Sequence, residues 1–333
     1  MQQKGKKLLV VLIILFLLVD TWLSLFLLDF KKPAVSLGVT FSQKYAQELK
    51  LDWRQAYLAI LDDLKVDHLR LIAYWDQIEA KLDELDFSDL DWQISEAAKR
   101  NVNVVLVVGR RLPRWPECHD PGWLAKLAPL AVQQQQLEFV QAVVERYKDN
   151  PAIKKWQVEN EPLFGIFGHC PLPDKKFLIQ EIELVKSLDS RPIVVTDSGE
   201  LSHWQGVAGL ADILGITMYR LVWNPQMGFW DYWFVPAAFY HYKASLTQFF
   251  HQNLKGVMVT ELQMEPWTFN RPMVELTLAE QEQSFDLKRF KDNVGYVEKT
   301  GFAEVYLWGA EYWYWLKAKG YPEIWEEAKG LWK

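Results

Sequence analysis

Apolar positions along the chain cluster into short runs, and longer stretches of helical periodicity separate them. Strand-like runs fall over 35–41, 68–73, 103–108, 153–158, 192–196, 213–218, 256–261 and 304–307. The run over 103–108 is almost wholly β-branched and apolar, as a parallel strand buried on both faces requires. Each run is followed by a helical pattern or by a loop and then a helix. Asp52 is placed to cap a helix reaching Leu64, and Ser88 to cap one carrying Leu90, Ile94, Ala97 and Ala98. Further helices are expected over 131–147 and 324–328. Strands alternating with helices predict a parallel sheet. Eight such units, with no linker or composition shift after Pro33, predict an α/β fold with a single (β/α)8 TIM barrel over 33–333.

The first 32 residues do not belong to that pattern. Lys4, Lys6 and Lys7 precede an apolar run over 8–19, then Asp20, then a second run over 21–28. Together they are long enough to cross ~30 Å of hydrocarbon. No small-residue cleavage site occurs between Val19 and Pro33. Asp20 costs about 2.5–3.5 kcal/mol at a bilayer centre, but it lies past the midpoint of the run. Residues 1–32 are therefore read as a signal anchor, a transmembrane helix. A cleaved signal peptide and a buried helix are the alternatives. The three lysines favour an inside N-terminus and a barrel outside the cytoplasm, with the membrane as a partner, while Lys31 and Lys32 pull the other way.

Composition narrows the chemistry. Half of the 333 residues are hydrophobic, enough for one large core. A net charge of −6 argues against a nucleic-acid partner. Seventeen tryptophans lean towards a carbohydrate site, because flat rings stack on the C–H faces of sugars. Glycine-rich phosphate loops and an H-E-x-x-H motif are absent, so no cofactor or metal is expected. The informative stretch is Glu159-Asn160-Glu161-Pro162, where Pro162 stops a strand and leaves an amide and a carboxylate at its carboxyl end. By itself it reads equally well as a turn signal. A second apolar run ends in Thr260-Glu261. Two glutamates at the ends of separate strands are what retaining glycoside hydrolysis needs, ~5–5.5 Å apart.

These motifs resemble the signature of glycoside hydrolase clan A, the (β/α)8 retaining glycosidases that include cellulase-, mannanase-, β-xylosidase- and β-galactosidase-type families. The 100 residues between Glu161 and Glu261 suit three βα units. The segments Tyr74-Trp75-Asp76-Gln77-Ile78-Glu79 and Phe87-Ser88-Asp89-Leu90-Asp91 are similar to the second βα unit of β-galactosidase-type members. The resemblance implies Glu161 as acid/base, Glu261 as nucleophile and Asn160 as ligand of the sugar 2-hydroxyl. It also implies Arg70 and Tyr219 as partners of Glu261, and Trp308 as the floor beneath the reacting sugar. A structural ion pair for Arg70 and a structural buried role for Tyr219 stay open, and Glu265 is held in reserve for Glu261.

The loops add further candidates. Arg110, Arg111 and Trp115 either line a cleft or lie on the surface. The aromatic run Trp223, Phe229, Trp230, Tyr232, Trp233, Phe234, Phe239, Tyr240 and Tyr242 reads as a sugar-binding wall, a satellite hydrophobic cluster or a membrane contact. Glu311, Trp313 and Trp315 follow the last strand and are expected to face the cleft. The two cysteines, Cys118 and Cys170, lie in loops that a barrel makes neighbours. A disulfide is favoured outside the cytoplasm; free thiols, or a zinc site with His119 and His169, are the alternatives. The function expected is cleavage of β-glycosidic bonds in an oligo- or polysaccharide. A membrane-tethered, non-catalytic carbohydrate-binding barrel is the rival, and a metal-dependent barrel hydrolase a weaker one.

Overall fold

A computed structural model describes residues 2–32, 34–268 and 271–332; Pro33, where the expected barrel domain begins, lies outside them. The strands are β1 Ser36–Thr40, β2 His68–Ile72, β3 Asn103–Val108, β4 Ile153–Val158, β5 Ile193–Asp197, β6 Ile213–Met218, β7 Leu221–Asn224, β8 Gly228–Asp231, β9 Gly256–Gln263 and β10 Glu304–Trp308. Eight of them close a parallel barrel in the order β1-β10-β9-β6-β5-β4-β3-β2. The remaining two, β7 and β8, form an antiparallel hairpin in the stretch expected to be an aromatic loop.

Strand alternation decides what enters the barrel. On β3, Val104, Leu106 and Val108 join the core between sheet and helices, while Val105 meets Val194, Met258 and Tyr306 inside. The same alternation turns Arg70 inward between Leu69 and Leu71, and Gln157 inward between Trp156 and Val158. β9 breaks the rule. Ile216 pairs with Val259 but Thr217 pairs with Glu261, and Val305 pairs with Val259 but Leu307 with Leu262, so β9 carries one extra residue against both neighbours. Val259 and Leu262 both pack in the outer core. This bulge leaves Thr260 and Glu261 side by side towards the interior and re-aims the glutamate.

Asp52 caps as expected, accepting from the backbone N–H groups of Arg54 and Gln55. Its helix, Trp53–Ala59, widens into a π turn over Ile60–Leu64. Ser88 does not cap its helix; it is the first residue of Ser88–Lys99, and Asp86 accepts from its N–H at 2.9 Å. The helix expected from 131 starts two residues earlier, at Pro129, whose missing N–H costs nothing in a first turn. Phe239, Tyr240 and Tyr242 lie on the helix Ala237–Phe250 rather than in a loop. The N-terminal helix Gln2–Ser24 contains an apolar stretch that continues to Leu27, with mean hydropathy 2.7 over 10–27 and none of it buried. That exposure overturns the buried-helix alternative.

Candidate active site

The carboxyl ends of the strands bring Arg70, Asn160, Glu161, Tyr219, Glu261 and Trp308 together. Arg70 is wholly buried and spends its guanidinium on several acceptors. Nε donates to Gln157 Oε1, Nη1 to Glu261 Oε1 and Nη2 to Asn160 Oδ1, each at 2.8 Å. Tyr219 donates its hydroxyl to the other oxygen of Glu261 at 2.9 Å. The carboxylate of Glu261 is thus held at both oxygens by side chains from β2 and from the end of β6. Because arginine has only donors, Asn160 must turn Oδ1 to it, so Nδ2 takes no part in that bond.

Glu161 lies close enough for the charge of Glu261 to act on it. Its backbone takes φ 45° and that of Glu159 takes φ 62°, in the left-handed region that residues with a Cβ avoid. Two bonds hold the turn: Glu161 N donates to Thr196 Oγ1 at 2.7 Å and Asn160 N to Arg111 O at 2.7 Å. Thr217, the register partner of Glu261, donates to Glu161 Oε1 at 3.2 Å. Burial pushes the Glu161 carboxyl well above the usual range, and the charges of Glu261, Glu117 and Asp197 push the same way. Glu159 points away from Glu161, into a buried network. Its carboxylate accepts from Arg110 N at 2.8 Å, Arg111 N at 2.6 Å and Gln136 Nε2 at 2.7 Å. Gly109, at φ 120°, lets the loop pass this carboxylate, since a Cβ there would lie 2.5 Å from Glu159 Oε1.

The loop after β3 supplies groups that the sequence did not single out. Arg114 lies over the ring of Trp308, 3.9 Å from its centroid, and over Tyr45 at 3.7 Å. It pairs with Glu265 and stands 3.5 Å from Glu311. One face of Trp308 is therefore covered by a guanidinium, and Glu265 is engaged by Arg114 rather than by Arg70 and Tyr219. Glu117 pairs with Arg111 at 2.6 Å. Burial raises it to about 7, the Arg111 charge opposing and Glu261 adding. Glu200 accepts from Tyr219 N at 3.0 Å and from the Tyr240 hydroxyl at 2.5 Å, and so fixes the backbone that aims Tyr219. The only signal for Arg114 and Glu117 was charge set among Pro and Trp in a long loop, Pro113-Arg114-Trp115-Pro116-Glu117.

The structure also places the remaining candidates, and it corrects the expectation that Glu311, Trp313 and Trp315 face the cleft. Arg110 pairs with Asp120 at 2.7 Å, and Arg111 donates to Phe167 O at 2.8 Å as well as pairing with Glu117, which braces the loop. Glu311, Trp313 and Trp315 lie on the helix Ala310–Ala318 and are buried in the body of the protein. Trp313 donates to Met264 O at 2.6 Å and packs on Phe290. Cys118 and Cys170 form a disulfide with Cα atoms 5.3 Å apart. With both sulfurs bonded to each other the zinc alternative loses its thiolates, and His119 faces Lys44 Nζ at 3.0 Å and Arg114 O at 3.2 Å.

No protein-family model matches the chain. No curated protein matches it either. Solved structures do. A GH5_18 protein from Streptomyces cattleya, solved in complex with GlcNAc, superposes with TM-score 0.58 at 12% identity, over 83% of this chain and 70% of its own. Xylanase 10B from Thermotoga petrophila RKU-1, in complex with xylobiose, gives TM-score 0.52 at 14% identity, over 83% and 82%. The β-galactosidase of the psychrophilic Marinomonas ef1 gives 0.53 at 14%, over 82% of this chain and 54% of its own, so the chain spans about half the length of that enzyme. At such identities the likeness is one of fold. The chain is a closed eight-stranded barrel of the kind these glycosidases carry, in agreement with the resemblance to clan A in its sequence.

Proposed function

We propose that the protein is a retaining β-glycosidase acting on an oligo- or polysaccharide, with residues 1–32 anchoring the barrel on the outer side of a membrane. One observation carries the catalytic part. A buried carboxyl pushed towards its neutral form, Glu161, lies within reach of the charge of a carboxylate, Glu261, that accepts from Arg70 and Tyr219. Paired carboxyls in opposite states are the requirement of the double displacement. Glu261 attacks the anomeric carbon as Glu161 gives its proton to the departing glycosidic oxygen. The bond to the leaving group breaks and a glycosyl ester on Glu261 forms. Glu161, now ionised, takes a proton from water, whose oxygen displaces Glu261 and restores both groups. Asn160 Nδ2 would bond the sugar 2-hydroxyl. Trp308, buried and with Arg114 over its ring, would form the floor beneath the reacting sugar. The exposed apolar helix supports the anchor, and the disulfide fits an oxidising compartment.

Turnover of a panel of aryl β-glycosides by the full chain in detergent tests this reading. A bell-shaped pH profile for kcat/KM is expected, and Glu161→Gln removes its basic limb for poor leaving groups. A flat profile between mildly acidic and neutral pH contradicts the two-carboxylate mechanism. Absence of turnover on every glycoside, with sugar binding retained, supports the non-catalytic binding barrel instead.

A further inference from the structure

The segment that leaves the apolar N-terminal helix does not reach the barrel at random. Trp22 donates its indole N–H to Phe234 O at 3.0 Å and packs on Phe239. Phe30 stacks on His241 with ring centroids 3.7 Å apart, meets Tyr242 edge-on and donates its N–H to Lys299 O. Gly301 is needed for this seat, since a Cβ there would lie 2.6 Å from Phe30 O. Residues 22–30 thus lie along one flank, formed by the helix Ala237–Phe250 and the turn that precedes it.

That flank carries an apolar stripe only half covered. Phe239, Tyr242, Leu246, Phe249 and Phe250 recur at helical spacing on one face. Trp22 and Phe30 occupy its first half. Leu246, Phe249 and Phe250 stay exposed, at 56%, 72% and 64%. Tyr242 to Phe250 is about 12 Å along the helix axis. Beside the Trp22 contact, Trp230 and Trp233 both pack on Phe234 and present their outer faces to solvent. The apolar surface is continuous from the span over 10–27 through Trp22 to this patch.

We propose that this flank lies on the lipid surface of the membrane that residues 10–27 cross, with Trp230, Trp233, Leu246, Phe249 and Phe250 entering the headgroup–acyl boundary. The inference rests on the anchor reading. Covalent geometry selects the occupant: a segment ending in a bilayer is packed on this flank, so lipid is the nearest apolar phase. Tryptophan suits that depth, with an apolar body and a polar edge, and an amphipathic helix seats its apolar face ~5–10 Å into the boundary. The barrel is then held by a surface as well as by a tether, which fixes its orientation.

Nitroxide labels on the full chain in phosphatidylcholine vesicles test it. Cys118 and Cys170 are bonded, so a single introduced cysteine is the one free thiol. Labels at Leu246→Cys and Phe249→Cys should relax readily with oxygen and several-fold less with a water-soluble nickel chelate than a label at Leu130→Cys, an exposed apolar position on another helix. Leu15→Cys reports the anchor itself. Chelate access at 246 and 249 equal to that at 130, with 15 in lipid, overturns the docking and leaves the anchor. Chelate access at 15 overturns both. Protection at 246 and 249 from both reagents assigns the patch to a second copy of the chain and overturns the lipid assignment.

Discussion

Arg70 organises the site at the scale of single residues. Its fork reaches Gln157, Asn160 and Glu261 at once from a fully buried position. Lysine is a point charge on a flexible stem and cannot hold three acceptors in one plane. Arg70→Met should lower stability by about 3–5 kcal/mol in urea unfolding, because it strands Glu261 as an uncompensated buried charge. Arg70→Lys keeps the charge, so it should unfold at a higher urea midpoint than Arg70→Met and still lose most activity. A Met variant as stable as the parent contradicts this account of Arg70. The residues legible in the sequence were those that close apolar runs, Glu161 and Glu261, or that a family resemblance pointed out, Arg70, Asn160, Tyr219 and Trp308. Arg114 and Glu117 were not legible. Their placement depends on a loop path with φ 83° and 68°, which no hydrophobic period encodes.

At the scale of elements, the barrel was legible because buried parallel strands are short, apolar and repeated. The runs at 103–108, 153–158 and 213–218 coincide with β3, β4 and β6. The bulge in β9 was not, since an extra residue in an apolar run leaves no mark on composition, yet it decides where Glu261 points. The hairpin of β7 and β8 was hidden by its aromatics, which read as a loop wall. The disulfide ties the loop after β3, which carries Arg114 and Glu117, to the loop after β4. It closes 52 residues, worth up to about 4 kcal/mol by loop-closure entropy. Thiol titration of the denatured, unreduced protein should find no free thiol. Cys118→Ser should lower the unfolding free energy by about 2–4 kcal/mol. Two reactive thiols per chain contradict the bond.

At the scale of the whole molecule, burial of the site leaves a signature in stability against pH. Burial raises Glu117, Glu200 and Glu311 from 4.5 to about 7 each. The native state keeps protons there that the unfolded chain has released, so stability falls as pH rises from about 4.5 through 7. His119 opposes this: burial lowers it from 6.5 to about 4, so its contribution grows as pH rises across that interval. Three groups outweigh one, and above about pH 6.5 only the carboxyls among these four still titrate. The calorimetric Tm should be higher near pH 5 than near pH 7.5; the reverse order contradicts the burial assigned to these carboxyls. The central claim concerns the roles of Glu161 and Glu261, and azide rescue tests it most directly. In Glu261→Ala, azide fills the hole and attacks an activated β-glycoside from the nucleophile's face, and an α-glycosyl azide is expected. In Glu161→Ala, a good leaving group departs without a proton, the glycosyl-enzyme accumulates, and azide releases it as a β-glycosyl azide. Opposite stereochemistry in the two variants, or rescue at Glu265→Ala in place of Glu261→Ala, would contradict the account.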